Sequence, residues 1–137
     1  MNFQQLDNKD QKLIEAAKEV LLKNYDPVRH TVGAAVICST GNIYTGINIE
    51  ACGYGPCAEP IAIAAAFTNG ERAIIAITAV CKKDDGFLVL SPCGNCRQLL
   101  MDYSPNAMVL FSYEGKVFKT QARNLLPGAY ISDFASV

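Results

Sequence analysis

The chain has 137 residues, half of them hydrophobic, and 13 acidic residues nearly balance 12 basic ones for a formal net charge of −1. That length and apolar share suit one compact domain with a real core, and the balanced charge excludes the basic footprint that grips nucleic acid or an anionic membrane. Six cysteines occur in a chain whose start, Met1 to Asp10, is polar and charged and in which no apolar run is long enough to cross a bilayer. The expectation is a cytoplasmic protein, whose reducing surroundings favour metal binding over disulfides for some of these thiols.

Leu13, Ile14, Ala16, Ala17, Val20 and Leu21 recur at helical spacing after a polar Asp7-Asn8 start, which predicts an amphipathic helix over 7–24. Asp26-Pro27 breaks it. Thr31 to Cys38 reads as a largely buried strand, Ser39-Thr40-Gly41-Asn42 as a turn, and Ile43 to Ile49 as the second strand of a hairpin. Cys57 to Phe67 is alanine-rich and apolar on most sides, a buried helix ended by Asn69-Gly70. Ala73 to Val80 is a third strand, Lys82 to Gly86 a charged turn, and Phe87 to Leu90 leads into Ser91-Pro92-Cys93, where a helix starts that runs to about Tyr103. Strands over 107–112 and 116–119 follow, then a short helix over 122–126 before Pro127-Gly128. Strands alternating with helices behind a leading hairpin predict an α/β fold over the single domain 1–137: a three-layer α/β/α sandwich around a mixed five-stranded sheet. Its site belongs where helices begin at the carboxyl ends of strands.

Two stretches carry chemistry, Cys57-Ala58-Glu59 and Pro92-Cys93-Gly94-Asn95-Cys96. Three cysteines can hold zinc and leave the fourth tetrahedral corner open, which separates catalytic zinc sites from closed structural ones. A carboxylate such as Glu59 beside that corner moves protons to and from water, so the predicted chemistry is hydrolytic. Cys93 and Cys96, three apart, share one face of a first helical turn. Cys57 and Glu59, two apart, reach one metal only if Cys57 sits at the helix start, where Pro56 places it; Pro92 does the same before Cys93. Zinc with three thiolates is net negative, so the positive helix ends and Arg97, the nearest candidate cation, are expected to offset that charge.

Cys38 and Cys81 end apolar runs and read as small buried hydrophobes. Cys52 as a fourth ligand would close the site and make it a structural zinc module, a reading that leaves Glu59 without a role. His30, the sole histidine, reads as a loop residue and excludes a multi-histidine metal site.

These residues resemble the cytidine deaminase superfamily, whose signature is Cys or His, then Glu, then Pro-Cys-x-x-Cys. The likeness runs from Val32-Gly33-Ala34-Ala35 through Gly46-Ile47-Asn48-Ile49-Glu50 to Leu125-Leu126-Pro127-Gly128-Ala129-Tyr130. It implies Cys57, Cys93 and Cys96 as zinc ligands and Glu59 as the proton shuttle, in a reaction that converts a cytosine ring to uracil and releases ammonia. It further implies that Asn48 and Glu50 hold sugar hydroxyls and that the Ala58 backbone N–H meets the pyrimidine carbonyl. The Ser91 carbonyl would receive the amino group, and Tyr130 would reach the base, often across a subunit boundary in a homotetramer.

Three departures narrow the branch. Pro60 stands where nucleoside-specific members carry an arginine, leaving charge compensation to Arg97 and the helix ends. His30-Thr31 stands where those members carry Phe-Pro. Gly55-Pro56-Cys57-Ala58-Glu59 and the Leu-Leu-Pro-Gly-Ala-Tyr ending look more like the blasticidin S deaminase branch. The implied substrate is a small cytosine nucleoside or a cytosine-bearing antibiotic, with ordinary cytidine or deoxycytidine as the alternative; neither nucleic acid nor a membrane is an expected partner.

Overall fold

The structure, a computed structural model, describes residues 2–132. The first helix forms as α1 (Asn8–Asn24), its start fixed by reciprocal bonds in which the Asp10 N–H donates to the Asp7 carboxylate and the Asp7 N–H to that of Asp10. After it come β1 (Val32–Cys38), β2 (Ile43–Ile47), α2 (Ala58–Thr68), β3 (Ile74–Lys83), β4 (Gly86–Val89), α3 (Gly94–Tyr103), β5 (Met108–Tyr113) and β6 (Lys116–Gln121), with a short 3-10 turn at Ala122–Leu125.

The sheet has six strands rather than the five expected: its main path is β2-β1-β3-β5-β6, and β4 joins β3. The extra strand is the short Gly86–Val89 run just after the charged segment, which folds back onto the end of β3. Lys82 and Lys83 continue β3 and pair with Phe87 and Gly86, and Asp84 turns the corner at φ 53°. Lys82 and Lys83 need no apolar side chains to pair, so hydropathy hides the extension of β3 that gives the short Phe87-Leu88-Val89 run its partner. Only β3 and β5 run parallel; the other pairs are antiparallel.

Period-2 alternation divides the core between two faces. Ala34, Val36, Ile77, Ala79, Val109 and Phe111 pack under α2 and α3. Ala35, Ala76, Val80 and Leu110 pack against Leu13, Ile14, Ala17 and Leu21 of α1. The expected three layers result. A bulge in β3, where Ile37 pairs with Ala76 but Cys38 with Ile74, puts Ile74 on the same face as Ile77. Two glycines set how closely the helices seat: a Cβ at Gly33 would stand 2.4 Å from the Ala17 carbonyl of α1, and one at Gly46 2.6 Å from the Ala62 nitrogen of α2. At the far edge the backbone of Gln4 exchanges hydrogen bonds of 2.8 and 3.0 Å with Lys119, which closes part of the open side of β6.

Candidate functional site

The loops leaving β2 and β4 deliver their chains to the starts of α2 and α3. Cys57 is the residue immediately before α2 and Cys93 the one before α3, both in extended backbone (φ −62°, ψ 166° and φ −70°, ψ 172°). The two prolines thus act as expected, and Pro60 is tolerated in the first turn of α2, where its missing N–H has no intrahelical partner. Cys57 Sγ lies 3.5 Å from Cys93 Sγ, which lies 3.4 Å from Cys96 Sγ, and all three sulfurs fall within 4.8 Å of one another. Sulfurs held roughly 2.3 Å from a tetrahedral zinc stand about 3.8 Å apart, so this thiol set fits the ion. Among the described residues the cluster has these three members; the exposed Cys52 is outside it, which leaves the fourth corner open.

Charge at this cluster is tuned by position. Burial pushes the Cys96 thiol far above its ordinary range, with Glu59 and the neighbouring sulfurs adding to it. Cys57 is raised by burial and by Cys93. Burial acts on Cys93 too, but the N–H groups of Cys96 and Asn95 in the first turn of α3, with the adjacent thiols, bring it below the usual thiol value. Glu59, 6% exposed, is raised by desolvation, offset in part by its own N–H and by Cys96. A carboxyl held partway toward its protonated form is suited to giving and taking protons.

A cavity of about 220 Å³ opens onto this group, lined by Asn48, Glu50, Cys57, Ala58, Glu59 and Ser91 among others. Five of the sequence-predicted site residues outside the thiols thus line one space. The Asn48 side chain is fully engaged: its Oδ1 accepts from the Thr31 and Val32 N–H groups at 2.8 and 2.9 Å, and its Nδ2 donates to Glu50 Oε1 at 3.2 Å. It thereby fixes the strand that forms the cavity wall and aims the Glu50 carboxylate. Ser91 Oγ donates to the Ser112 carbonyl at 3.0 Å, which ties the loop before Cys93 to β5.

Other candidates lie elsewhere. His30 faces the Asn48 carbonyl through Nδ1 at 2.9 Å, which requires a proton on that nitrogen, and it braces the cavity wall from behind. The Arg97 guanidinium donates to the Pro92 carbonyl at 2.7 Å and the Leu125 carbonyl at 2.9 Å, so its positive charge is fixed one residue from Cys93. Tyr130 does not line the cavity of its own chain: it is 73% exposed, and its carbonyl accepts from Gln98 Nε2. Sequence reasoning passed over Glu71, a buried carboxylate beyond the end of α2. It accepts from Thr40 Oγ1 at 2.9 Å, Asn42 Nδ2 at 3.0 Å and Tyr44 Oη at 2.9 Å. Nothing in the sequence pairs residues so far apart.

Residues 7–112 match the model of a known family, the cytidine and deoxycytidylate deaminase zinc-binding region. The chain is 38% identical to a blasticidin-S deaminase of Bacillus cereus over 132 residues, covering 91% of this chain and 94% of that one. It is 34% identical to a cytidine deaminase of Sporosarcina psychrophila over 125 residues, covering 88% and 90%. The crystal structure of cytidine deaminase from Burkholderia pseudomallei superposes with a TM-score of 0.74 at 33% identity, covering 91% of this chain and all of that one.

Proposed function

This chain belongs to the cytidine and deoxycytidylate deaminase family and is a zinc-dependent hydrolytic deaminase, and from that premise we propose that it acts on the cytosine ring of a blasticidin S-like antibiotic. Cytidine or deoxycytidine is the alternative. The observation that carries the choice is the stronger likeness to a blasticidin-S deaminase, together with Pro60 at the third position of α2. The reaction adds water to the ring carbon that bears the amino group and expels that group as ammonia, leaving uracil.

Cys57, Cys93 and Cys96 hold the ion, and zinc there supplies the chemistry of an acidified water. Glu59 takes a proton from the attacking water, delivers it to ring nitrogen N3 and passes a further proton to the departing amino group; its raised pKa lets one carboxyl do both. The Ala58 N–H, free at the start of α2, donates to the ring carbonyl, and the Ser91 carbonyl accepts from the amino group. Glu50, aimed by Asn48, faces the sugar side of the cavity, and with cytidine or deoxycytidine as substrate it accepts from the sugar hydroxyls. Arg97 and the two helix starts offset the thiolate charge that Pro60 leaves uncompensated.

The test is loss of cytosine absorbance by zinc-loaded protein on cytidine, deoxycytidine and blasticidin S in parallel, with Glu59→Ala as the blank. Faster Glu59-dependent turnover of blasticidin S supports the favoured substrate. Faster nucleoside turnover selects the alternative, and no Glu59-dependent loss on any of the three would overturn the ring assignment.

The working assembly is a homotetramer that binds neither nucleic acid nor membrane and resides in the cytoplasm. Exposed Tyr54, Tyr103, Tyr130 and Ile131 supply apolar surface for neighbouring subunits, and Tyr130 reaches a neighbour's base. No helix among the described residues is long and apolar enough to cross a membrane. A monomer by light scattering would remove the tetramer.

A further inference from the structure

β3 changes partner partway along one edge. It pairs in parallel with β5 at Ala76–Met108 and Ile77–Val109, and antiparallel with β4 from Val80–Val89 onward, and among the described residues no ladder joins β4 to β5. Both strands nevertheless turn backbone groups toward the gap. The β5–β6 hairpin closes on Tyr113–Lys116 through Glu114 and Gly115, both at positive φ, so that pair is hydrogen-bonded and the next, Ser112–Val117, is not. The Ser112 N–H and carbonyl therefore point away from β6. On the other side the Leu90 N–H reaches the Ala79 carbonyl at 2.8 Å, and alternation turns the Val89 carbonyl away from β3.

Two serine hydroxyls fill the gap. Ser91 Oγ donates to the Ser112 carbonyl at 3.0 Å and accepts from the Ser112 N–H at 3.3 Å, as a strand partner would, and Ser112 Oγ donates to the Val89 carbonyl at 2.6 Å. A hydroxyl suits this place because it donates and accepts at once. Ser91 also lines the cavity two residues before Cys93, and the next carbonyl, that of Pro92, is taken by Arg97 at 2.7 Å. We propose that the two hydroxyls replace the missing ladder and set where the Ser91 carbonyl stands, making Ser112 and the Ser91 hydroxyl positioning groups for the departing ammonia. The positioning role rests on the Ser91 carbonyl accepting from the amino group; the hydroxyl stitch does not. The amino group gains positive charge as it leaves, so an acceptor held in place acts most in the transition state.

Ser91→Ala removes two of the three bonds yet keeps the carbonyl, and Ser112→Ala removes the third; the threonine variant at each position keeps the hydroxyl. Amide hydrogen exchange is followed by NMR on the zinc-loaded protein, and kcat and KM are measured on the best cytosine substrate. Exchange at the Ser112 amide should quicken at least about fivefold in Ser91→Ala, the worth of one net hydrogen bond, and stay slow in Ser91→Thr. The Phe111 amide, in the ladder opposite Phe118, should not change in either. With it, kcat should fall about tenfold in Ser91→Ala and about threefold in Ser112→Ala, at KM within about twofold and with both threonine variants near wild type. Unchanged exchange at Ser112 in Ser91→Ala, or a rise shared by Phe111, would overturn the stitch. Wild-type kcat in either alanine variant, or equal losses in the threonine variants, would overturn the positioning role. Exchange needs no turnover, so failure to deaminate any cytosine would sink the functional reading and the positioning role with it, while the stitch is still decided by exchange.

Discussion

Two buried glutamates flank α2 and are equally hidden at 6% exposure, yet their surroundings push them in opposite directions. Glu59, in the first turn, is raised by desolvation, with only its own N–H and Cys96 to oppose that. Glu71, just past the last turn, is lowered by hydrogen bonds from Asn42, Thr40 and Tyr44 despite its burial. Burial therefore does not mark a reactive carboxyl; the count of donors aimed at it does. Glu71 is a clamp that ties the β1–β2 hairpin to the end of α2, while Glu59 is left short of partners at the cavity beside the three thiols.

Removing Glu59 is the most drastic way to test that contrast. Glu59→Gln should lower kcat by about 10³-fold while folding and zinc content stay intact, measured by cytosine absorbance and metal analysis. Glu71→Gln should leave kcat within about twofold, since nothing it touches lines the cavity; equal losses from both would erase the distinction. Cys96→Ser should weaken zinc binding by more than about 100-fold in a competitive chelator titration, because changes merely behind a metal ligand already cost about 10–100-fold.

Gly46→Ala probes the seat of α2 between the two carboxyls. The added Cβ meets the Ala62 backbone at 2.6 Å, and the expected cost is about 1–3 kcal/mol by urea denaturation. The smallest effect is the pH signature of Glu71. Its folded pKa lies below the ordinary 4.5, so its stabilisation is present above that value and is lost as pH falls through the lower folded one. Wild type should melt a few degrees above Glu71→Gln at neutral pH, and the gap should close in acid. A gap that widened in acid would mean Glu71 is raised like Glu59.

How much of this was legible in the sequence follows from how locally each feature is encoded. Pro-Cys pairs fix the helix starts within a few residues, so the thiol cluster and the placement of Cys57 before its helix could be read directly. The Glu71 clamp could not, because its donors come from a turn 27 to 31 residues earlier and none belongs to a motif. β4 is hidden because Phe87-Leu88-Val89 is a short run that reads as a lead into Ser91-Pro92, and because Lys82 and Lys83 opposite it look like a turn although their backbones pair. Asn48 lines the cavity, as the expected sugar contact requires, and its side-chain Oδ1 also accepts from the Thr31 and Val32 N–H groups, a second role only the fold reveals.

The spacing of the three thiols also orders the birth of the site. Cys93 and Cys96 share one helical turn and can meet an ion while most of the chain is still unfolded, but Cys57 lies 36 residues from Cys93. Its approach depends on the fold between them, in which β3 pairs with β1 across 36 to 49 residues and with β5 across 32. The three-thiol cluster therefore exists as a set only in the folded chain, whereas Cys93 and Cys96 stand one helical turn apart by local structure alone. Tight metal retention is thus a report that folding has finished, and the ion draws the final long-range contact toward completion.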